Sequence, residues 1–252
     1  MTADPQSPGV PTILAHAELA FALLRDYYTG TLQSGRPAFT GARFETLGGP
    51  WNDRVHAGEI TAGDLAAVSC LSVNVPGSAA VRVLETQAAE IREHLRDMPG
   101  PDVPLWEVPD TEIVKGSAAS QLWWLLRDGK DGLGRTTTSK LMARKRANLV
   151  PVYDSVVGNV LGLRNATGHW ELMRTLMVTE VNGQLLHQYL DAMTTDAGLA
   201  PLVTPLRAFD AVVWYAHTSN SRVRERAQRI ADKTGQSDAL SPLDNAAPDR
   251  SR

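Results

Sequence analysis

The chain has 252 residues, of which 43% are hydrophobic and 21% charged, a balance that suits a globular protein with a sizeable core. Its formal net charge of −3 excludes capture of nucleic acid by overall basicity, so any such contact has to come from a local patch. One cysteine, Cys70, excludes an internal disulfide and a cysteine-held zinc or iron–sulfur site. The six histidines show no metal-ligand spacing, so no metal and no cofactor is expected. The first residues carry acid and proline without a basic, apolar leader, and no run approaches the ~18 apolar residues of a membrane span. A cytoplasmic protein with no membrane partner is expected.

Taken in chain order, residues 1–11 are rich in Pro, Ser and Gly and read as disordered. From Thr12 to Tyr28, Ile13, Ala17, Ala20, Phe21, Leu24 and Tyr28 share a helical face. Thr29 to Gly58 reads as an irregular connection with a short element near Phe44. Thr61 and Asp64 form a Thr-x-x-acid start signal for a helix from Leu65 to about Val73. Pro76-Gly-Ser78 opens a long helix to about Met98. A proline-punctuated loop follows to Pro109, with Trp106 as its packing plug. Helices are expected at Ser117–Arg127, Arg135–Arg146, Asp154–Leu163, His169–Thr179, Asn182–Met193, Pro205–His217 and Ser219–Lys233. Residues 234–252 read as a disordered tail. No fixed repeat and no convincing strand appears, so the fold class is all-α, a single helical domain over 12–233 of one lobe or two.

The chemistry concentrates between residues 117 and 163. Gly132-Leu133-Gly134 breaks two helices and allows a tight turn with backbone N–H groups at the head of the next helix, a good setting for a phosphate oxygen. From Arg127 to Arg146 there are seven basic and two acidic residues, a local charge of +5. Lys140 and Arg144 lie one turn apart, expected opposite the side that buries Leu141 and Met142. Gly132, Leu133, Gly134, Arg135, Lys140 and Arg144 are therefore the candidate nucleic-acid contacts. Asp154 sits where a helix N-cap belongs; it is either that cap alone or also a functional carboxylate. Tyr153 packs in the core or stacks on a base. Asp210, in an apolar helix, pairs with Arg207 or Arg144 or faces a cleft. Adjacent Trp123 and Trp124 cannot both point inward.

This stretch resembles the helix–hairpin–helix DNA glycosylases, the endonuclease III and adenine glycosylase superfamily. The resemblance implies that Gly132–Gly134 is a hairpin gripping DNA and that Asp154 is the carboxylate assisting departure of a flipped base. The family's lyase lysine falls at Thr136, which implies monofunctional chemistry without a Schiff base. A wider resemblance, from Phe39 to Trp214, is to an uncharacterised bacterial domain-of-unknown-function family. It is carried by Asp64–Val73, Ser139–Arg146, Pro151–Asp154 and Leu206–Trp214. Three readings stand side by side: a DNA-binding protein on a glycosylase-like fold, a monofunctional base-excision glycosylase using Asp154, and a helical interaction module or enzyme unrelated to DNA.

Overall fold

A computed structural model describes residues 9–240. The expected disorder at residues 1–8 and 241–252 lies outside them. The fold is mainly α, with 11 helices and one small hairpin of strands among the described residues. None of these helices is long and apolar enough to cross a membrane.

The hub is α10, Pro205–His217. Thr204 caps it by accepting the Arg207 N–H, and Pro205 at its first turn has no N–H to leave unpaired. Of its 13 residues only Trp214 and His217 are not buried. Around it pack α1 (Ala17–Thr29), α7 (Ser155–Val160), α9 (Leu186–Asp196) and α11 (Ser221–Lys233). A second group centres on α6 (Arg135–Lys145), against α2 (Ala62–Ser69) and α5 (Ala118–Arg127), with α4 (Ala88–Asp97) behind α5. The two groups share one continuous apolar core, in which α8 (His169–Met177) also buries Met173, Leu176 and Met177.

Three expectations need correction. The long helix from Pro76 is interrupted: α3 (Gly77–Val81) passes into a π-type turn, Arg82–Thr86, before α4. The wider turn aims Arg82 at the end of α5, where its guanidinium donates to the carbonyls of Leu125 and Leu126 at 3.0 and 2.8 Å. Secondly, Asn182 begins no helix. Asn182 and Gly183 both take positive φ, 50° and 81°, and turn the antiparallel pair β1 (Glu180–Val181) and β2 (Gln184–Leu185). This is the left-handed two-residue turn that Asn-Gly favours. Thirdly, chain beyond Lys233 is structured to residue 240: Ser237–Leu240 forms a 3-10 turn against Thr12–Ala15, with Leu240 packed on the core.

Candidate functional site

Between the two helix groups lies a cavity of about 360 Å³. Lys140 of α6, Asp154 at the head of α7, and Asp210 and Trp214 of α10 reach its wall. Tyr27 of α1 and Phe39 close another side, stacked at 5.0 Å with Trp214 edge-on to Phe39. Gly41 is required here, because a Cβ at that position would come within 2.0 Å of the Tyr27 hydroxyl. The chain leaving α2 supplies Cys70, Leu71 and Ser72. Ser72 holds a left-handed φ of 61°, an uncommon and costly conformation for a residue with a Cβ.

The charged groups interlock. Lys140 is almost fully buried; its Nζ donates to the Leu71 carbonyl at 2.8 Å and lies 3.9 Å from Asp154 Oδ2. Burial lowers the Lys140 pKa, opposed by the carboxylates of Asp154 and Asp210. Asp154 accepts the Val156 N–H at 2.9 Å, so it does cap its helix, while its side chain remains 23% exposed on the cavity wall. Capping and a role in the cavity are thus compatible.

Asp210 both pairs and faces the cleft. Its Oδ2 accepts from Arg207, whose Nε donates to Glu45 at 2.7 Å. The other oxygen, Oδ1, has no hydrogen-bond partner, nor do Glu45 Oε2 and Arg207 Nη2. Burial raises the Asp210 pKa to about 6, against the pull of Arg207 and with help from Asp154. Three acids and two bases meet in a low-dielectric pocket, so one acid holding a proton relieves the excess negative charge. Glu45 lies in the connection read only as irregular, and its part in this cluster was missed.

The hairpin is a shaped turn. Gly132 has φ +95°, and a Cβ there would meet Pro76 at 2.8 Å. Gly134 caps α6 without a side-chain bond, and Leu133 is buried between the two exposed glycines. Asp131 is locked by Arg82, Nε to Oδ2 at 2.5 Å. Ser72 on the cavity wall is four residues from Pro76, and Lys140 is six residues, about 9 Å of helix, from Gly134. Arg135, next to the hairpin, is exposed. Thr136 is partly exposed on the first turn of α6 and does not line the cavity; Lys140 does.

The basic run past the hairpin is not a solvated face. Arg144, 1% exposed, donates to Asp64 at 3.1 Å and to the carbonyls of Phe44 (2.7 Å), Leu47 (3.2 Å) and Gly49. Lys145 pairs with Asp64 at 2.9 Å, and Arg146 donates to the carbonyls of Leu95, Ala57 and Pro99. Asp64 also completes the expected capping box with Thr61. These bonds fasten the loops onto α6, so Arg144 has no access to a phosphate, and buried Lys140 has none at the surface. Of the seven basic residues in the local +5, only Arg127, Lys130 and Arg135 reach solvent. Tyr153 is partly buried, edge-on to His169 at 5.4 Å, and Trp106 stacks on His187 at 4.5 Å; both serve packing. Of the two adjacent tryptophans, Trp124 is the exposed one.

The model of a family of unknown function, DUF6308, matches residues 20–217. The chain belongs to that family. The matched span contains every residue of the cavity wall, both glycines of the hairpin and the hub helix α10. No curated protein and no solved structure matches the chain.

Proposed function

We propose that this protein is a monofunctional N-glycosylase acting on nucleic acid, with Asp154 as its carboxylate and the cavity as the seat of an extruded base. The observation that carries this reading is that Asp154, Lys140 and Asp210 converge on one aromatic-walled cavity. Its volume lies within the usual range for small-molecule pockets. The aromatic wall of Tyr27, Phe39 and Trp214 suits the apolar surface of an unstacked base. The likeness of Gly132-Leu-Gly134 and Asp154 to the hairpin and carboxylate of the helix–hairpin–helix glycosylases supports the same reading. So does the Arg82 clamp, which holds the hairpin in one shape.

The residues divide the chemistry as follows. As the bond between sugar and base breaks, positive charge develops at the sugar C1′. The Asp154 carboxylate, on the cavity wall, stabilises that charge and directs a water onto C1′. Lys140 holds Asp154 in place from inside the protein. Asp210, protonated below about pH 6, donates to the departing base. The water contributes hydroxide to the sugar and a proton to the site, giving an abasic sugar and a free base. Surface contact with the strand falls to the hairpin backbone, Lys130 and Arg135, not to the buried basic run.

The test is a panel of oligonucleotides carrying deaminated, oxidised, alkylated or mispaired bases, scored for strand scission after alkali. Abasic sites formed on at least one member, with intact strands before alkali, are expected. No scission across the panel, at protein in excess over DNA, would overturn the reading.

A further inference from the structure

A second cavity, of about 310 Å³, reaches Arg135, the residue that follows Gly134 of the hairpin. Trp123 and Trp124 of α5, Trp170 of α8, and Arg127 and Arg135 line it. Trp124 is 47% exposed, although a tryptophan gains most by covering its large apolar ring. The Arg127 guanidinium lies over that ring, 5.4 Å from its centroid. Trp123 and Trp170 meet edge-to-face at 6.0 Å behind it and stiffen the wall. Neither Arg127 nor Arg135 has a hydrogen-bond or ion-pair partner among the described residues; Glu171 is the single acid on the wall. Asn165 and Thr167 add groups able to bond a base edge.

A half-exposed indole beside two guanidiniums that no acid pairs suits a ligand that is planar and aromatic at one end and anionic at the other. We infer that this cavity binds one unpaired nucleotide, its base on Trp124 and its phosphate between Arg127 and Arg135. The site deepens the proposed function and rests on the reading of the chain as a nucleic-acid protein. It places the strand on the hairpin side of α6, where Arg135 directly follows Gly134. It also replaces the buried Lys140 and Arg144 as the charged contacts.

The probe is a fluorescein-labelled, single-stranded DNA dodecamer of mixed sequence, followed by anisotropy with the full chain between 50 and 200 mM salt. Asp154→Asn is the background, so that binding is read without turnover. Trp124→Ala is expected to weaken binding about tenfold, Trp124→Phe less. Arg135→Ala is expected to lower the salt slope by about one. All three side chains are at the surface or replaced conservatively, and a thermal melt within a few degrees of the parent confirms folding. Competition by deoxyadenosine monophosphate distinguishes a free nucleotide from a strand: Trp124-dependent displacement shows that the free nucleotide fills the pocket too, and no displacement at large excess assigns the pocket to a strand alone. Dodecamer binding that Trp124→Ala and Arg135→Ala leave unchanged overturns this site while leaving the glycosylase reading in place. Trp124-dependent binding with no abasic product across the lesion panel overturns the glycosylase reading and keeps this site. No binding at 50 mM salt overturns this site, while the glycosylase reading stands or falls on the lesion panel.

Discussion

Replacing Arg144 separates a structural arginine from a phosphate-binding one. Arg144→Ala removes one charged bond to Asp64 and bonds to the carbonyls of Phe44, Leu47 and Gly49. Asp64 keeps Lys145 and its own capping bond to Thr61, so its charge is still compensated in part. The Phe44 carbonyl loses its donor in a buried site, those of Leu47 and Gly49 lose theirs nearer the surface, and the arginine stem leaves a void. Breaking a buried pair costs about 3–5 kcal/mol, and orphaned carbonyls keep the loss in that range. At roughly 2–4 °C per kcal/mol for a chain of this size, Tm falls by about 6–20 °C. Urea unfolding followed by circular dichroism measures the same loss as a lower midpoint. Arg144→Lys should recover only part, because one ammonium cannot serve four acceptors at once. A solvated, DNA-facing arginine would instead change stability by less than about 0.5 kcal/mol. A loss that small would refute the buried clamp.

Asp210 gives a pH signature. Its folded pKa, about 6, lies above the ordinary 3.8, so its contribution to stability is present below 3.8 and is lost as pH rises through 6. The stability of wild type relative to Asp210→Asn should therefore fall between pH 4 and 7, by up to about 3 kcal/mol; a pH-independent difference would show that Asp210 titrates normally. Gly41→Ala should displace the Tyr27 ring into the cavity and cost about 1–3 kcal/mol, read by urea midpoint; an unchanged midpoint would place Tyr27 elsewhere. Borohydride reduction during turnover should trap no protein–DNA adduct. An adduct lost in Lys140→Met would make the Lys140 amine a nucleophile and the enzyme a lyase.

Much of the fold could be read locally. The Thr-Pro start and apolar face of α10, the capping box of α2, and the Gly134 and Asp154 starts of α6 and α7 follow from short-range chemistry, and the helices form at those positions. Asn182-Gly183 was also a readable signal, masked by the apolar pattern of the helix that starts at Leu186. The π-type turn at Arg82 was not readable, because its reason is Asp131, 49 residues away. The fate of the basic run had the same origin. Counting charge from Arg127 to Arg146 misses Asp64, 80 residues before Arg144, and the distant backbone carbonyls that consume Arg144 and Arg146. Asp154 and Asp210 were each singled out from sequence. Their meeting in one cavity with Lys140, Phe39 and Trp214 depends on how the two helix groups pack, which no local pattern states.

The most direct test of the central claim is the single-turnover rate of abasic-site formation by Asp154→Asn beside wild type, on whichever panel oligonucleotide wild type processes. Asn keeps the size of the side chain and an oxygen to cap Val156, so fold and DNA affinity should hold within about twofold. The account predicts a rate at least about 100-fold lower, the usual scale for removing one well-placed catalytic group. An Asp154→Asn enzyme that forms abasic sites at the wild-type rate would contradict it.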